Sequence, residues 1–213
     1  MLIALFQWFV KLTGFLPERI LLGTRCRFEN REIQGRRIRG GAVILSNHLS
    51  VYDYAVLLFV FPLSVIRCIA AEVLYKKNFL LSLFLNAMGC IRADRYGMDF
   101  SFLGKAERIL EKNGVVLCFP ESRLPLKTEK ELLPFKPSAA YIALHSGKPV
   151  IPVYTDGRYF KKRPCTVMIG TPVTVSEWVD DTLSEKENLE KISERLREKI
   201  LALKEELEKT IGT

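Results

Sequence analysis

The stretch GAVILSNHLSVYD (residues 41–53) decides the fold, because it joins a predicted strand to a predicted helix through a short polar turn. Its apolar run, residues 41–45, opens with a glycine and predicts a buried strand. Residues 54–61 are again apolar and predict a helix. His48 therefore lies where a strand is followed by a helix, which is a common position for reactive groups in α/β folds.

His48 and Asp53 are five positions apart, so on one regular helix their side chains would point about 140° apart. They can meet only if His48 lies in the turn before the helix and Asp53 lies in its first turn. Ser50 is a candidate N-cap, which would place Asp53 three residues into the helix. Such a pair would form a dyad, with the imidazole as general base and the carboxylate fixing its tautomer. The alternative is a capping box in which Asp53 serves only the helix dipole.

Composition limits the class of protein. The 213 residues fit one domain, and the net charge of +8 indicates an anionic partner. Aromatic residues are not interleaved with basic ones as on nucleic-acid stacking surfaces, so we expect a membrane surface or a phosphorylated substrate and no nucleic acid. Five scattered cysteines without a CxxC pair indicate buried thiols in a reducing compartment rather than disulfides or metal ligands.

Residues 1–24 predict a membrane-associated helical segment. Residues 1–10 carry no charged side chain and Lys11 then interrupts, well before the roughly 20 apolar residues that a spanning helix needs. A signal peptide would carry its positive charge before the apolar run, whereas here the charge follows it. We expect one or two short helices, split near Gly14 and Pro17, that lie in the membrane interface with the following arginines on anionic lipid. The alternative is a helix packed on the core of the domain.

Strands that alternate with helices over residues 25–213 predict one α/β domain with a mixed, largely parallel central sheet flanked by helices. Ser184 and Glu187 predict the start of a C-terminal amphipathic helix, whose apolar stripe would pack on the core or on a partner helix. Pro152 lies in the predicted strand of residues 150–154 and suggests an edge strand or a bulge.

Charged residues follow several of the predicted strands. His48, Arg95 and Glu121 each come a few residues after a strand, which would place all three on one rim of the sheet. Glu121 and Arg123 could hold polyol hydroxyls and a phosphate, or they could form a surface salt bridge beside a turn. Lys136 lies at a predicted helix N-terminus, where backbone N–H groups also favour an anion. The alternative for Lys136 is an ordinary solvated lysine.

Four stretches together resemble the motif blocks of the glycerolipid acyltransferase family, specifically its bacterial 1-acyl-sn-glycerol-3-phosphate acyltransferases. In chain order they are HLSVYD (48–53) for the HxxxxD block, GCIRADR (89–95), FPE (119–121) for the start of the FPEG block, and VIPV (150–153). The resemblance covers roughly residues 40 to 155. One departure is that the family usually has Gly and then Thr-Arg after Pro-Glu, whereas Ser122 and Arg123 follow directly here.

The resemblance implies transfer of a fatty acyl group from an acyl thioester to the sn-2 hydroxyl of 1-acyl-sn-glycerol 3-phosphate (lysophosphatidic acid), giving phosphatidic acid in phospholipid biosynthesis. It implies His48 as the general base, oriented by Asp53. It also implies a site for the glycerol phosphate, for which the candidates are Arg95, Glu121, Ser122, Arg123 and Lys136. The donor would be acyl-CoA or acyl carrier protein, with no cofactor and no metal. The enzyme would lie on the cytoplasmic side of the cell membrane as a peripheral or monotopic protein.

Two other functions remain open from the sequence. One is acyl transfer to another acceptor, such as glycerol 3-phosphate or a different lysophospholipid. The other is a non-catalytic peripheral protein that binds anionic lipid, against which the His48–Asp53 pair argues. The sequence contains no G-x-S-x-G elbow, which agrees with direct attack by the substrate and no acyl-enzyme. It contains no P-loop or G-x-G-x-x-G pattern, so no nucleotide cofactor is implied.

Overall fold

A seven-stranded sheet forms the centre of the structure, for which a computed structural model describes residues 1–94, 99–129, 131–160 and 164–211. The strands are β1 (Arg25–Phe28), β2 (Ala42–Ser46), β3 (Ile66–Ala71), β4 (Ile91–Ala93), β5 (Val115–Cys118), β6 (Val150–Thr155) and β7 (Thr166–Ile169). Their spatial order is β1-β7-β6-β2-β5-β3-β4, and neighbours are parallel except for β6 and β7. This is the mixed, largely parallel sheet that the sequence predicts.

Helices cover both faces of this sheet. They are α1 (Leu2–Pro17), α2 (Asp53–Val60), α3 (Glu72–Lys77), α4 (Phe79–Ala87), α5 (Ser101–Glu111), α6 (Pro137–Ser146) and α7 (Glu185–Ile211), with a π-helical turn at Glu18–Leu22 and a 3-10 turn at Val175–Trp178. One apolar layer joins the sheet to α2 and to part of α1, and the other joins it to α5, α6 and α7. All five residues of β2 are buried, because both of its faces are covered, and this explains its continuous apolar run.

The C-terminal helix α7 begins at the predicted capping box. Ser184 N–H donates to Glu187 Oε2 at 2.8 Å, and Glu187 N–H donates to Ser184 Oγ at 3.3 Å. The apolar stripe of α7 packs on the core of the domain and not on a partner helix, which settles the two alternatives that the sequence left open. Its buried members include Ile192, Leu196, Ile200, Leu203 and Leu207.

Strand β6 lies between β2 and β7, so of the two predictions for Pro152 the edge strand is wrong. The bulge fits better, because residues 151–152 oppose three residues, 170–172, between the Val153–Ile169 pair and the Val150–Val173 bridge. Proline lacks an N–H, but β7 ends opposite Val153, and Pro152 therefore lies where the ladder with β7 ends. Gly170 N–H donates to Pro152 O at 2.8 Å, and a Cβ at Gly170 would stand 2.8 Å from the proline ring. A glycine beside the proline thus allows a proline inside the sheet.

Of the two positions at which the sequence predicts a split in the N-terminal segment, Gly14 is wrong and Pro17 is right. The helix continues to Pro17, after which the π-helical turn begins. A Cβ at Gly14 would stand 2.8 Å from the ring of Phe59 in α2, so the small residue allows the two helices to pack closely. The division of the chain into residues 1–24 and 25–213 stays a prediction.

Two buried polar side chains lie on the inward side of α1. Gln7 is 1 % exposed; its amide donates to Ile66 O at 2.8 Å and to Met88 O at 2.7 Å, and accepts from Ile66 N–H at 3.0 Å. Lys11 Nζ lies 2.5 Å from Ser64 O and also donates to the carbonyl oxygens of residues 61 and 62. Burial lowers the pKa of Lys11 to about 8. These bonds hold α1 on the domain through side chains that an ordinary amphipathic helix would turn to water.

The outward side of α1 is apolar and exposed. Its exposed residues include Leu2, Leu5, Trp8, Phe9, Leu12, Phe15 and Leu16. The exposed face of α4 continues this surface, since the Phe6 and Phe84 rings meet edge to face at 6.1 Å. Among the described residues, no helix has both the length and the hydropathy that crossing a membrane requires.

Candidate active site

Polar residues lie together at the carboxyl ends of three neighbouring parallel strands, β6, β2 and β5. Asn47 follows β2 directly and is 1 % exposed. Its amide donates to Thr155 O at 2.9 Å and accepts from Thr155 N–H at 2.8 Å, which ties the turn around His48 to the end of β6. Sequence reasoning missed this residue, because its partner is more than a hundred positions away.

His48 and Asp53 meet at this edge. His48 Nδ1 lies 2.9 Å from Asp53 Oδ2, and the same oxygen accepts the N–H groups of Leu49 at 2.7 Å and Ser50 at 2.9 Å. Helix α2 begins at Asp53 itself, so the prediction of Ser50 as N-cap is wrong. Tyr52 is the N-cap, and the Ser50 hydroxyl accepts the Tyr52 N–H at 3.3 Å in the turn that precedes the helix. Asp53 therefore contacts the imidazole and also stabilises the start of α2.

The imidazole of His48 is fixed on two sides. Its ring stacks on Phe119 with a centroid distance of 4.2 Å and an angle of 19°. A carboxylate only accepts hydrogen bonds, so in the neutral ring Nδ1 carries the proton and Nε2 carries the lone pair. The side chain is 18 % exposed. The ring is thus held in the tautomer that a general base needs, with its basic nitrogen not engaged by Asp53.

Glu121 lies next to His48, as the shared rim of the sheet predicts. It is 4 % exposed; Oε1 accepts His48 N–H at 2.8 Å, and Oε2 accepts Leu133 N–H at 3.0 Å. Burial raises the pKa of Glu121, and the two N–H donors act in the opposite direction. The carboxylate therefore links the turn after β5 to the backbone of His48, and its predicted contact with a polyol stays a prediction.

Ser122 adopts a left-handed conformation with φ of 61°. Glycine takes this conformation without strain, so the structure gives a reason for the glycine that the resembled pattern has after Pro-Glu. The Ser122 N–H donates to Phe119 O at 3.0 Å and closes the turn.

The three candidate cations are placed differently. Arg123 forms a bidentate pair with Glu129, at 2.7 and 2.6 Å, and holds the pKa of that carboxyl at about 2. Its guanidinium is thereby occupied within the chain. Lys136 precedes α6, and its N–H donates to Pro120 O at 2.9 Å, while its side chain is exposed. Arg95 lies outside the described residues.

The model of the family described as Acyltransferase matches residues 25–156. The chain belongs to the acyltransferase family.

Relatives of this acyltransferase carry one activity in their names. A 1-acyl-sn-glycerol-3-phosphate acyltransferase from Limnanthes alba is 27 % identical over 167 residues, covering 72 % of this chain and 58 % of the relative. The Homo sapiens 1-acyl-sn-glycerol-3-phosphate acyltransferase beta is 29 % identical over 160 residues, covering 70 % and 57 %. The chain thus spans less than two thirds of the length of these curated relatives.

A solved structure supports the fold of this acyltransferase. The 1-acyl-sn-glycerophosphate (LPA) acyltransferase, PlsC, from Thermotoga maritima matches with a TM-score of 0.60 and 22 % identity. The match covers 95 % of this chain and 79 % of that one. It confirms the α/β architecture with its largely parallel sheet.

One further residue of the candidate site was missed by sequence reasoning. The hydroxyl of Tyr159 donates to Asp53 Oδ1, on the side of the carboxylate away from His48. Tyr159 follows β6 and lies after the four motif blocks, and it is separated from Asp53 by 106 positions. Neither periodicity nor spacing gives a signal for such a contact.

Proposed function

We propose that the chain transfers a fatty acyl group from an acyl thioester to the sn-2 hydroxyl of 1-acyl-sn-glycerol 3-phosphate, giving phosphatidic acid. The observation that carries this proposal is the 2.9 Å contact between His48 Nδ1 and Asp53 Oδ2, which leaves Nε2 as the basic nitrogen. The names of its relatives supply the substrate class, and membership of the acyltransferase family supplies the reaction type.

The proposed step needs one base and no covalent enzyme intermediate. His48 Nε2 accepts the proton of the acceptor hydroxyl as its oxygen attacks the thioester carbonyl. The new C–O bond forms, the C–S bond breaks, and the leaving thiolate takes the proton from the imidazolium. Asp53 stabilises the imidazolium while it exists. General-base catalysis of this kind typically contributes about 10²–10⁴-fold to the rate.

The phosphate of the acceptor requires positive charge near His48. Lys136 is the described candidate that fits best, because it is exposed and its backbone is bonded to the turn that carries Glu121. Arg95 remains a candidate on sequence grounds. Arg123 is a weaker one, since binding a phosphate would require it to leave Glu129.

A direct assay tests this function. Purified protein is incubated with lysophosphatidic acid and either acyl-CoA or acyl carrier protein, and the products are analysed by lipid mass spectrometry. Parallel reactions offer glycerol 3-phosphate or lysophosphatidylcholine as acceptor. We expect phosphatidic acid with at least one donor. Product from another acceptor alone would contradict the proposed substrate, and vesicle binding without any transfer would favour the non-catalytic lipid binder.

We also propose that the outward side of α1 lies in the interface of an anionic membrane. The helix cannot turn over without breaking the bonds of Gln7 and Lys11, so its apolar residues stay at the surface. The net charge of +8 adds attraction to anionic lipid. This placement would give the site access to a lipid substrate and donor. Residence on the cytoplasmic side remains part of the proposal.

Vesicle binding tests the membrane surface. Leu12 is 80 % exposed on α1, and moving its side chain from water into the membrane would contribute about 1.5–3 kcal/mol to binding. Leu12→Glu removes this contribution and adds a negative charge. We expect at least tenfold weaker binding to vesicles that contain phosphatidylglycerol. The control is Val179→Glu, an exposed apolar position next to the 3-10 turn that packs on α6 and α7. Equal losses in both variants would contradict a role for α1.

A further inference from the structure

The two oxygens of the Asp53 carboxylate have separate partners. Oδ2 faces His48 and the two N–H groups of the turn, whereas Oδ1 accepts the hydroxyl of Tyr159. Asp53 is fully buried and Tyr159 is 8 % exposed. A buried carboxylate oxygen without a hydrogen-bond donor would be costly, so the tyrosine completes the set of donors to Asp53.

The hydroxyl of Tyr159 is itself oriented. Its single proton goes to Asp53, which only accepts, so Thr155 Oγ1 at 3.1 Å must be the donor to the tyrosine oxygen. Burial raises the pKa of Tyr159, and the nearby Asp53 charge raises it further, so the phenol keeps its proton. Thr155, Tyr159, Asp53 and His48 thus form one line of hydrogen bonds from β6 to the imidazole.

The segment after β6 also packs on the turn that carries His48. A Cβ at Gly157 would stand 2.8 Å from Leu49 Cδ1, so this glycine allows a close approach. The ring of Tyr52 contacts the rings of Tyr159 at 6.2 Å and Phe160 at 4.9 Å. Phe160 has φ of 57°, an unfavourable conformation for a bulky residue, which these contacts help to hold.

We propose that Tyr159 is a positioning residue for the His48–Asp53 pair: its hydroxyl fixes the plane of the Asp53 carboxylate and limits how strongly Asp53 attracts a proton onto His48. The proposal rests on the proposed function, because the consequence for catalysis requires His48 to be the base. Tyr159 lies beyond the residues 25–156 that the family model matches.

Tyr159→Phe tests this with the smallest change, because it keeps the ring and removes the hydroxyl. Without that donor one fewer hydrogen bond stabilises the negative charge of Asp53. Asp53 then attracts the imidazolium of His48 more strongly, so we expect the pKa of His48 to rise. Within the part of the chain that the structure describes, the other titratable groups near the pair include Glu121 from the turn after β5 and the thiols of Cys68 and Cys165, all of which the variant retains. The matched control is Tyr154→Phe in β6.

The first readout is NMR titration of the imidazole groups. The chain has two histidines, so His145 serves as the internal reference and His145→Gln assigns the signals. We expect the pKa of His48 to rise by at least about half a pH unit in Tyr159→Phe, which corresponds to about a threefold change in proton affinity. We expect no change in Tyr154→Phe.

The second readout is kinetic. In Tyr159→Phe the acidic limb of the kcat/KM profile should move to higher pH, with kcat about tenfold lower at neutral pH and KM for lysophosphatidic acid within about twofold. Should Tyr159→Phe fail to fold, Thr155→Val removes the donor to the tyrosine oxygen and should raise the pKa of His48 by a smaller amount in the same direction.

The outcomes separate the two proposals. An unchanged His48 titration and pH profile in folded Tyr159→Phe, even with a lower melting temperature, would overturn the positioning role. An unchanged His48 titration in Thr155→Val would do the same if Tyr159→Phe does not fold. Wild-type protein that makes no phosphatidic acid would overturn the proposed function, while the NMR titration would still decide whether Tyr159 controls His48.

Discussion

The variant Glu121→Gln would test whether the turn after β5 holds the backbone of His48 in place. Each carboxylate oxygen of Glu121 accepts one backbone N–H, from His48 at 2.8 Å and from Leu133 at 3.0 Å. Glutamine offers one oxygen and one NH₂ group, so its NH₂ must face one of these N–H donors. One hydrogen bond is lost, and two donors are left facing each other in a buried site.

The size of the effect follows from these bonds. A hydrogen bond to a charged group contributes about 1.5–3 kcal/mol, so we expect the free energy of unfolding to fall by about that amount. If the His48 N–H loses its partner, the imidazole shifts. A displacement of about 1 Å can reduce the rate by about 10²-fold, so we expect kcat to fall by about 10- to 100-fold while KM for lysophosphatidic acid changes little.

The same variant has a pH signature. Burial raises the pKa of Glu121 in the folded protein above its value in the unfolded chain. The folded state therefore binds the proton more readily, and this group makes the free energy of unfolding decrease as pH rises from the ordinary glutamate range through the raised pKa. Glutamine does not titrate, so that part of the slope should disappear in the variant.

Urea unfolding at several pH values and steady-state kinetics measure these effects. The control is Glu111→Gln, an exposed glutamate at the end of α5 that should leave stability and kinetics unchanged. A higher KM for lysophosphatidic acid with unchanged kcat would refute the reasoning, because it would place Glu121 on the acceptor. Unchanged stability would show that the two backbone bonds contribute nothing.

Two further predictions concern α1 and the candidate cations. Gln7→Leu leaves the buried Ile66 N–H without its side-chain partner, so hydrogen exchange at Ile66 should accelerate and the free energy of unfolding should fall by about 1–3 kcal/mol; unchanged protection would show that α1 is held elsewhere. Arg123→Gln should change KM for lysophosphatidic acid by no more than about threefold and should raise the pKa of Glu129 from about 2, as measured by carboxyl NMR. Lys136→Gln should raise KM for lysophosphatidic acid about tenfold. A larger rise in KM for Arg123→Gln than for Lys136→Gln would place Arg123 on the phosphate.

The motif around His48 was predictable because its information is local. An apolar run gave β2, and a spacing of five required His48 to precede the helix that carries Asp53. The exact start of α2 was not predictable from propensity. The Asp53 carboxylate accepts the N–H groups of Leu49 and Ser50 and also contacts His48, and this combination of contacts is visible only in three dimensions.

The remaining features depend on contacts between distant parts of the chain. A pattern of apolar residues assigns polar side chains to water, yet Gln7 and Lys11 are buried because carbonyl groups from residues 61 to 88 meet them there. Pro152 is tolerated inside the sheet because the ladder with β7 ends beside it at Gly170. Tyr159 reaches Asp53 because β6 and β2 are neighbours, which the order of residues does not reveal.

The role of His48 as general base is tested most directly by comparing the two histidines of the chain. His48→Ala and His145→Ala are assayed for conversion of lysophosphatidic acid to phosphatidic acid, with melting temperature as a check on folding. His145 stacks on Tyr141 and pairs with Glu185 on the surface, so its loss should leave the rate near that of the wild type. His48→Ala should keep its fold and lose about 10²–10⁴-fold in rate. A folded His48→Ala variant with a rate near that of the wild type would contradict the account.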